Sequence, residues 1–251
     1  MPFAETEYGK IHFSASSADN RKNLVLIHGS GGNHLGWPAC ARDLPGVNVF
    51  ALDLPGHGSS EGQGQRRVED YVRCVAQFVQ NLGLTRVTLC GHSLGGAIVL
   101  SLALEKPDWL EKIVGVGTGA RLRVNPAILE GIETNFEGSI SLMEQFLYGP
   151  DADKQAIAAG QSLFKSIDPK VVLNDFLACD RFDVMEKISR IDIPTLVVAG
   201  THDQLTPQKY GEYLAKNIPG AQLVVLSGAG HMMPLEKAEE FCLALENFIK
   251  G

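Results

Sequence analysis

The chain lacks the features that mark several classes of protein. No apolar run in its 251 residues approaches the ~20 residues of a membrane span, so we expect no membrane partner. The N-terminal run MPFAETE has neither a basic start nor an apolar signal core, which predicts a cytoplasmic protein. Lysine and arginine form no block and the net charge is −7, which argues against nucleic acid as a partner.

Cysteine and metal-ligand patterns are equally sparse. The cysteines are odd in number and scattered without a C-x-x-C pair, so we expect buried or free thiols in a reducing cytosol at Cys40, Cys74, Cys90, Cys179 and Cys242. The histidines show no short ligand spacing of the H-E-x-x-H kind. The sequence therefore predicts neither a metal site nor a cofactor.

The composition and pattern of the chain are those of one enzyme-sized globular unit. Hydrophobic residues make up 45% and charged residues 20% of it, ordinary values for a globular domain. Apolar β-type runs at 24–27 and 47–52 alternate with helical patterns such as 68–82, which ends before Gly83. This alternation favours a mostly parallel sheet covered by helices on both faces, after a leading hairpin around Gly9.

Residues 87–97 carry the most informative local pattern. An apolar β-type run is followed by Gly-His-Ser-Leu-Gly at 91–95 and then by the Ala-rich start of a helix. This is the signature of a nucleophile elbow, a turn so sharp that its serine takes a strained backbone conformation and its glycines prevent collisions. We therefore expect Ser93 Oγ to stand exposed at a helix N-terminus.

Two later strands end in residues that could activate such a serine. Apolar residues 193–200 are followed by Thr-His-Asp, ending at Asp203, and residues 223–226 are followed by a glycine-rich loop ending at His231. The chain order is Ser, Asp, His, with each residue at the carboxyl end of a strand. This is the order expected for α/β-hydrolases.

Two further segments complete a family resemblance. Residues 28–32 read His-Gly-Ser-Gly-Gly and residues 53–59 read Asp-Leu-Pro-Gly-His-Gly-Ser. With the motifs above, the chain resembles the α/β-hydrolase superfamily and, more narrowly, its small capped bacterial-type esterases. The resemblance implies an α/β-hydrolase fold: a mostly parallel central sheet, helices on both faces, and a helical cap inserted after the sixth strand.

The expected cap is a long interruption of the strand–helix pattern. About 70 residues separate Gly117 from the strand starting at Ile193, far more than a typical connection of ~2 to 6 residues. Helix-like composition recurs at 126–147, 151–164 and 169–178, so we predict a core domain of 1–118 and 191–251 with a cap at 119–190. Apolar cap residues either contact substrate or pack the cap onto itself: Phe136, Met143, Phe146, Leu163, Phe164 and Phe176.

The resemblance also assigns chemical roles. Ser93 attacks an acyl carbon, His231 takes and later returns the proton, and Asp203 holds His231 in the useful tautomer. The backbone N–H of Leu94 is one expected oxyanion donor, and the position of Ser30 in the 28–32 segment makes it the second, with Gly31 next. Rival acids lie in the cap or just before the next strand, where His231 is harder to reach: Asp175, Asp180, Asp183 and Asp192.

Three residues are the candidate substrate contacts outside the cap helices. His92 precedes the nucleophile and Gly31 lies in the oxyanion segment, so both are expected to border the pocket. Arg121, like Arg123, follows the sixth strand, where a guanidinium could pair with a substrate carboxylate. The alternative for each arginine is a solvated side chain at the cap hinge.

We predict a serine hydrolase that cleaves small-molecule carboxylic esters, with small to medium, largely apolar acyl groups, through an acyl-enzyme. It would be a monomer or homodimer. The same triad could instead support C–C bond hydrolysis, thioester cleavage or the lyase/synthase step of menaquinone biosynthesis, and a non-catalytic ligand receptor is the alternative from another class. A serine at the elbow argues against a dehalogenase or epoxide hydrolase of this fold, because those use an aspartate there.

Overall fold

The computed structural model describes residues 2–18, 22–154, 157–158, 160 and 167–251. Its centre is an eight-stranded sheet with the order β1-β2-β4-β3-β5-β6-β7-β8. The strands are β1 (Phe3–Thr6), β2 (Gly9–Ser16), β3 (Asn23–Ile27), β4 (Asn48–Leu52), β5 (Val87–His92), β6 (Leu110–Val116), β7 (Thr195–Gly200) and β8 (Gln222–Leu226). Among the strand pairs of the described residues, only the leading hairpin β1–β2 and the β2–β4 pair are antiparallel, so the predicted fold class is confirmed.

The helices lie between and after these strands. They are α1 (Ala39–Arg42), α2 (Val68–Asn81), α3 (Leu94–Glu105), α4 (Pro126–Thr134), α5 (Phe136–Leu147), α6 (Pro169–Arg181), α7 (Gln208–Asn217), α8 (Met233–Glu236) and α9 (Ala238–Lys250). Short 3-10 turns cover His34–Gly36 and Ile188–Arg190. Among the described residues, no helix is both long enough and apolar enough to cross a bilayer.

The central strands are buried on both faces, which is why they read as continuous apolar runs. Successive side chains of a strand point to opposite faces. In β3, Val25 and Ile27 accordingly pack with α2, α3 and α7, whereas Leu24 and Leu26 pack with α1 and α9. Helices on both faces therefore hold the carboxyl ends of the parallel strands at one edge of the sheet.

The segment between β6 and β7 contains α4, α5 and α6. The single helix expected over 126–147 is interrupted at Asn135, whose side-chain oxygen accepts a hydrogen bond from the Gly138 N–H at 3.2 Å and so caps α5. Half of the expected helix over 151–164, including Leu163 and Phe164, lies outside the described residues. The cap boundaries at 119 and 190 stay a prediction.

The expectation of five unpaired thiols is wrong for two of them. Cys40 of α1 and Cys242 of α9 form a disulfide with a Cα–Cα distance of 6.2 Å. The two cysteines are 202 residues apart in sequence and meet only because α1 and α9 pack on the same face of the sheet. The other three cysteines are free and buried, as expected: Cys74, Cys90 and Cys179.

Candidate active site

Ser93 lies in the turn between β5 and α3. Its φ of 54° is in the left-handed region that non-glycine residues rarely adopt. The turn is held by the Ser93 N–H, which donates to the Val116 carbonyl at 2.9 Å. A Cβ at Gly91 would collide with the Gly95 carbonyl, and one at Gly95 with the Ile27 carbonyl, so the elbow requires glycine at both positions.

Asp203 and His231 meet beyond the ends of β7 and β8. His231 Nδ1 lies 2.9 Å from Asp203 Oδ2. A carboxylate only accepts hydrogen bonds, so His231 carries its proton on Nδ1 and leaves Nε2 as a potential base. The same carboxylate also accepts from the Leu205 and Thr206 N–H groups, at 2.9 and 2.8 Å, and from the Thr206 hydroxyl at 2.6 Å.

These hydrogen-bond donors keep the carboxyl group of Asp203 ionised. Burial by itself would raise the pKa of Asp203, but the positive charge that His231 can carry, its Nδ1–H and the Thr206 donors outweigh burial and lower the pKa to about 2. A permanently charged Asp203 can hold the imidazole in one tautomer and stabilise its cationic form. That is the role of the acid in a Ser-His-Asp triad.

His92 supports the loop that carries His231. Its Nε2 lies 2.9 Å from the His231 carbonyl oxygen and donates to it, which fixes the proton of the neutral ring on Nε2. Burial, followed by the nearby positive charge that His231 can carry, lowers the pKa of His92 to about 3. His92 also borders the cavity described below, where the sequence placed it.

The neutral His92 makes the fold sensitive to mild acid. The pKa of His92 in the fold lies below the ordinary 6.5, so the unfolded chain binds a proton at this residue more tightly than the folded chain does. The stability that the neutral His92 gives the fold is therefore complete above about pH 6.5 and is lost as the pH falls toward 3. We expect His92 alone to lower the free energy of unfolding by about 2 kcal/mol between pH 7 and pH 5. Urea unfolding of His92→Asn at both pH values should show a correspondingly smaller difference. The exposed-site control His202→Asn should match wild type, and an unchanged pH difference in His92→Asn contradicts this account.

Residues 28–32, the oxyanion segment in which the sequence predicts the second oxyanion donor, follow β3. The Gly31 N–H donates to the Asp175 carboxylate at 2.9 Å, so this predicted substrate contact is already occupied. The Gly32 N–H donates to the Gly29 carbonyl at 3.1 Å, which tightens the turn. Ser30 borders the cavity, and its Oγ lies 3.7 Å from Cys179 Sγ on α6.

A cavity of about 150 Å³ opens between this segment, the elbow and the helical insertion. Ser93, His231 and Ser30 border it together. Its apolar wall comes from both the core and the insertion: Trp37, Leu122, Val124, Ile128, Leu147, Phe176, Leu205 and Met232. Its polar rim includes Arg123, Asn125, Thr206 and Tyr210.

The structure does not bring four of the predicted substrate contacts to the lining of this cavity. Gly31 is bound to Asp175 as above, and Phe136 packs within the insertion against the cluster of Ile132, Ile140, Met143 and Val172. Phe146 is 37% exposed on the surface of α5. Arg121 pairs loosely with Asp183 at 3.9 Å and borders a separate depression with Lys209 and Tyr213. Helical spacing alone does not tell which face of a cap helix points inward.

Among the described residues, one cluster has the spacing of a metal site: His12, His34 and Asp53. The structure instead saturates Asp53 with hydrogen bonds. Oδ1 accepts from the His34 N–H and Nδ1, and Oδ2 accepts from the Ser59 N–H and His12 Nδ1, at 2.7 to 3.0 Å. This arrangement fits a buried carboxylate that holds the 53–59 loop. His12 itself is buried on β2, where it is 3% exposed.

The comparisons with known proteins agree with this geometry. Residues 24–244 match the profile of the Alpha/beta hydrolase family. A pimeloyl-[acyl-carrier protein] methyl ester esterase of Neisseria meningitidis serogroup A is 31% identical, over 94% of this chain and 79% of its own. A 2-hydroxy-6-oxo-6-phenylhexa-2,4-dienoate hydrolase of Comamonas testosteroni is 28% identical, over 96% of this chain and 91% of its own.

A solved structure supports the same assignment. A thermophilic esterase with 34% sequence identity superposes with a TM-score of 0.86, over 99% of this chain and 96% of its own. The match to the family profile spans the elbow, Asp203 and His231. The chain therefore belongs to the alpha/beta hydrolase family and is an esterase-like hydrolase.

Proposed function

We propose that the protein hydrolyses carboxylic esters by nucleophilic catalysis, with Ser93 as nucleophile, His231 as base and Asp203 as the acid that orients it. The observation that carries this proposal is the Asp203–His231 contact at 2.9 Å beside a cavity that Ser93 also borders. Ser93 attacks the acyl carbon while His231 takes its proton and then delivers it to the leaving alcohol. In the second step His231 takes a proton from a water molecule, whose oxygen attacks the acyl carbon. The acid is released when His231 passes that proton to Ser93 Oγ.

The oxyanion would be stabilised by two backbone donors. Leu94 is the first residue of α3, and the first N–H groups of a helix have no partner within it. Ser30 is the second donor in this proposal. It is preferred over Gly31 because the Gly31 N–H already donates to Asp175. Loss of one such donor typically costs ~2.7 to 4 kcal/mol of transition-state stabilisation.

The substrate class follows from the cavity. Its volume of about 150 Å³ is below the ~300 to 1,000 Å³ of sites for drug-sized ligands, and its wall is largely apolar. We infer a preference for small to medium, uncharged acyl groups. Each methylene added to the acyl chain should improve binding by up to ~0.8 kcal/mol until the cavity is full.

Arg123 favours a second candidate, an acid-bearing substrate. Its guanidinium donates to the Asp180 carbonyl at 3.0 Å and it borders the cavity, so it could also meet a carboxylate at the rim. The relative from C. testosteroni is named for a dienoate, and such a substrate would be cleaved at a C–C bond. The same triad would then act on a ketone carbon.

An acyl series separates these candidates. We expect wild type to hydrolyse a butanoyl monoester with a higher kcat/KM than a succinyl monoester, because the apolar wall gains nothing from a carboxylate. Arg123→Ala should leave that ratio unchanged, as should the matched control Arg121→Ala, whose side chain lies away from the cavity. If wild type prefers the succinyl ester and Arg123→Ala alone abolishes that preference, the acid-bearing substrate is the correct one.

A cytoplasmic location and a monomeric or homodimeric state remain part of the proposal. The Cys40–Cys242 disulfide is more typical of proteins from oxidising compartments and argues in the opposite direction on location.

A further inference from the structure

The carboxylate of Asp175 is the one charged side chain of α6 that is completely buried among the described residues. Its three hydrogen-bond donors all come from outside the insertion. They are the Gly31 N–H at 2.9 Å, His57 Nε2 at 2.8 Å and the Tyr71 hydroxyl. Asp175 therefore connects the helical insertion to the oxyanion segment and to two side chains of the core.

His57 forms a buried ion pair with this carboxylate. Its Nδ1 lies 3.1 Å from the Pro55 carbonyl, and both of its ring nitrogens thus face groups that only accept hydrogen bonds. Burial by itself lowers the pKa of His57, but the charge and hydrogen bond of Asp175 raise it by more. A charged His57 fixes the carboxylate, and the carboxylate in turn fixes the oxyanion segment.

The contact with Gly31 sets the direction of the neighbouring amide. Gly31 has a φ of 66°, and its N–H points at Asp175. The peptide group between Gly29 and Ser30 is held by its carbonyl oxygen. This oxygen accepts hydrogen bonds from the Gly32 N–H at 3.1 Å and from His28 Nδ1 at 2.7 Å. Ser30 lies between these two anchored points. One turn further along α6, Cys179 also contacts the Ser30 side chain.

We propose that Asp175 is a positioning residue for the oxyanion hole: by binding the Gly31 N–H, it orients the Ser30 N–H toward the cavity and makes the second oxyanion donor depend on the docked insertion. The inference rests on the proposed ester hydrolysis and adds a residue that does not touch substrate. Asp175 would act mainly on the transition state, because the oxyanion develops only there.

Three variants at this position test the proposal, with a chromogenic butanoyl ester as substrate. Asp175→Ala removes the acceptor and should lower kcat ~10- to 100-fold, part of the ~10²- to 10³-fold associated with one oxyanion donor, with KM changed less than about threefold. In Asp175→Asn the amide oxygen can accept the Gly31 N–H in place of the carboxylate oxygen, so this variant should keep kcat within about tenfold of wild type. Asp175→Glu keeps the charge but lengthens the side chain, and should lower kcat like alanine even if Asp175→Ala fails to fold.

The matched control is Tyr71→Phe, which removes a donor to the same carboxylate but leaves the Gly31 contact in place. It should keep kcat within about threefold. The affinity for an alkyl trifluoromethyl ketone, whose adduct with Ser93 carries an oxyanion, should fall in parallel with kcat across the Asp175 series.

Two results would overturn the proposal: a folded Asp175→Glu with wild-type kcat, or Tyr71→Phe losing kcat as severely as the Asp175 variants. Either result alongside an inactive Ser93→Ala rejects the positioning role alone, whereas an active Ser93→Ala rejects the proposed function itself.

Discussion

Ser93→Ala is expected to lower kcat for ester hydrolysis at least ~10⁴-fold, with no comparable change in the free energy of unfolding. The loss is large because the triad acts as a unit and removal of its nucleophile leaves only the oxyanion donors and binding. The fold should persist, since the elbow is held by backbone hydrogen bonds and by its glycines rather than by the Ser93 hydroxyl. Initial rates on a chromogenic ester and urea unfolding measure the two quantities.

Ser101→Ala is the matched control for that experiment. Ser101 lies in the same helix, α3, and its hydroxyl donates to the Ala97 carbonyl at 2.9 Å. Its removal should leave kcat unchanged. Near-wild-type turnover by Ser93→Ala would show that another group performs the chemistry.

Asp203→Asn is expected to lower kcat by ~10⁴-fold. An asparagine amide can donate a hydrogen bond to His231 Nδ1, and the imidazole would then carry its proton on Nε2. A protonated Nε2 cannot accept the proton of Ser93 Oγ, so His231 would no longer act as a base. The loss should appear in kcat rather than in KM, because Asp203 is not among the residues that line the cavity.

The matched control for Asp203→Asn is Asp175→Asn, which changes another buried carboxylate close to the oxyanion segment. It should keep kcat within about tenfold of wild type, far above the ~10⁴-fold loss expected for Asp203→Asn. An active Asp203→Asn together with an inactive Asp175→Asn would move the triad acid into the helical insertion.

The features that the sequence predicted well are those with a local signal. The apolar runs, the glycines of 91–95 and the order Ser93, Asp203, His231 identify the sheet and the elbow, because a buried parallel strand and a sharp turn each impose a short pattern. The helix expected directly after the elbow is observed as α3, which begins at Leu94. The family profile and the strand order confirm the family and the fold class, whereas the catalytic roles of the three residues stay a prediction.

The features that were missed depend on elements distant in sequence. Cys40 and Cys242 are 202 residues apart, and no pattern near either residue indicates the other. From its sequence context Asp175 is only a rival acid for the triad, because its contact with Gly31 spans 144 residues. Phe136 and Phe176 have the same composition signal and both pack against the apolar cluster of the insertion, yet only Phe176 also lines the cavity.

The position of His12 shows the same limit. It occupies an alternating strand near the edge of the sheet, a pattern typical of a solvent-facing residue. The buried carboxylate of Asp53, 41 residues later, lies 2.8 Å from its Nδ1 and accounts for its burial. A buried polar pair of this kind becomes visible only once both strands are placed.

Covalent labelling tests the central claim, a serine nucleophile activated at the elbow, most directly. The protein is incubated with an alkyl fluorophosphonate, which phosphonylates activated serines, and the adduct is located by intact mass and peptide mapping. We expect one adduct per chain, on Ser93, no adduct in Ser93→Ala, and much slower labelling in His231→Ala, because His231 must take the proton from Ser93 Oγ. Rapid ester hydrolysis without labelling of Ser93, or an adduct on a different residue that accompanies loss of activity, would contradict the account.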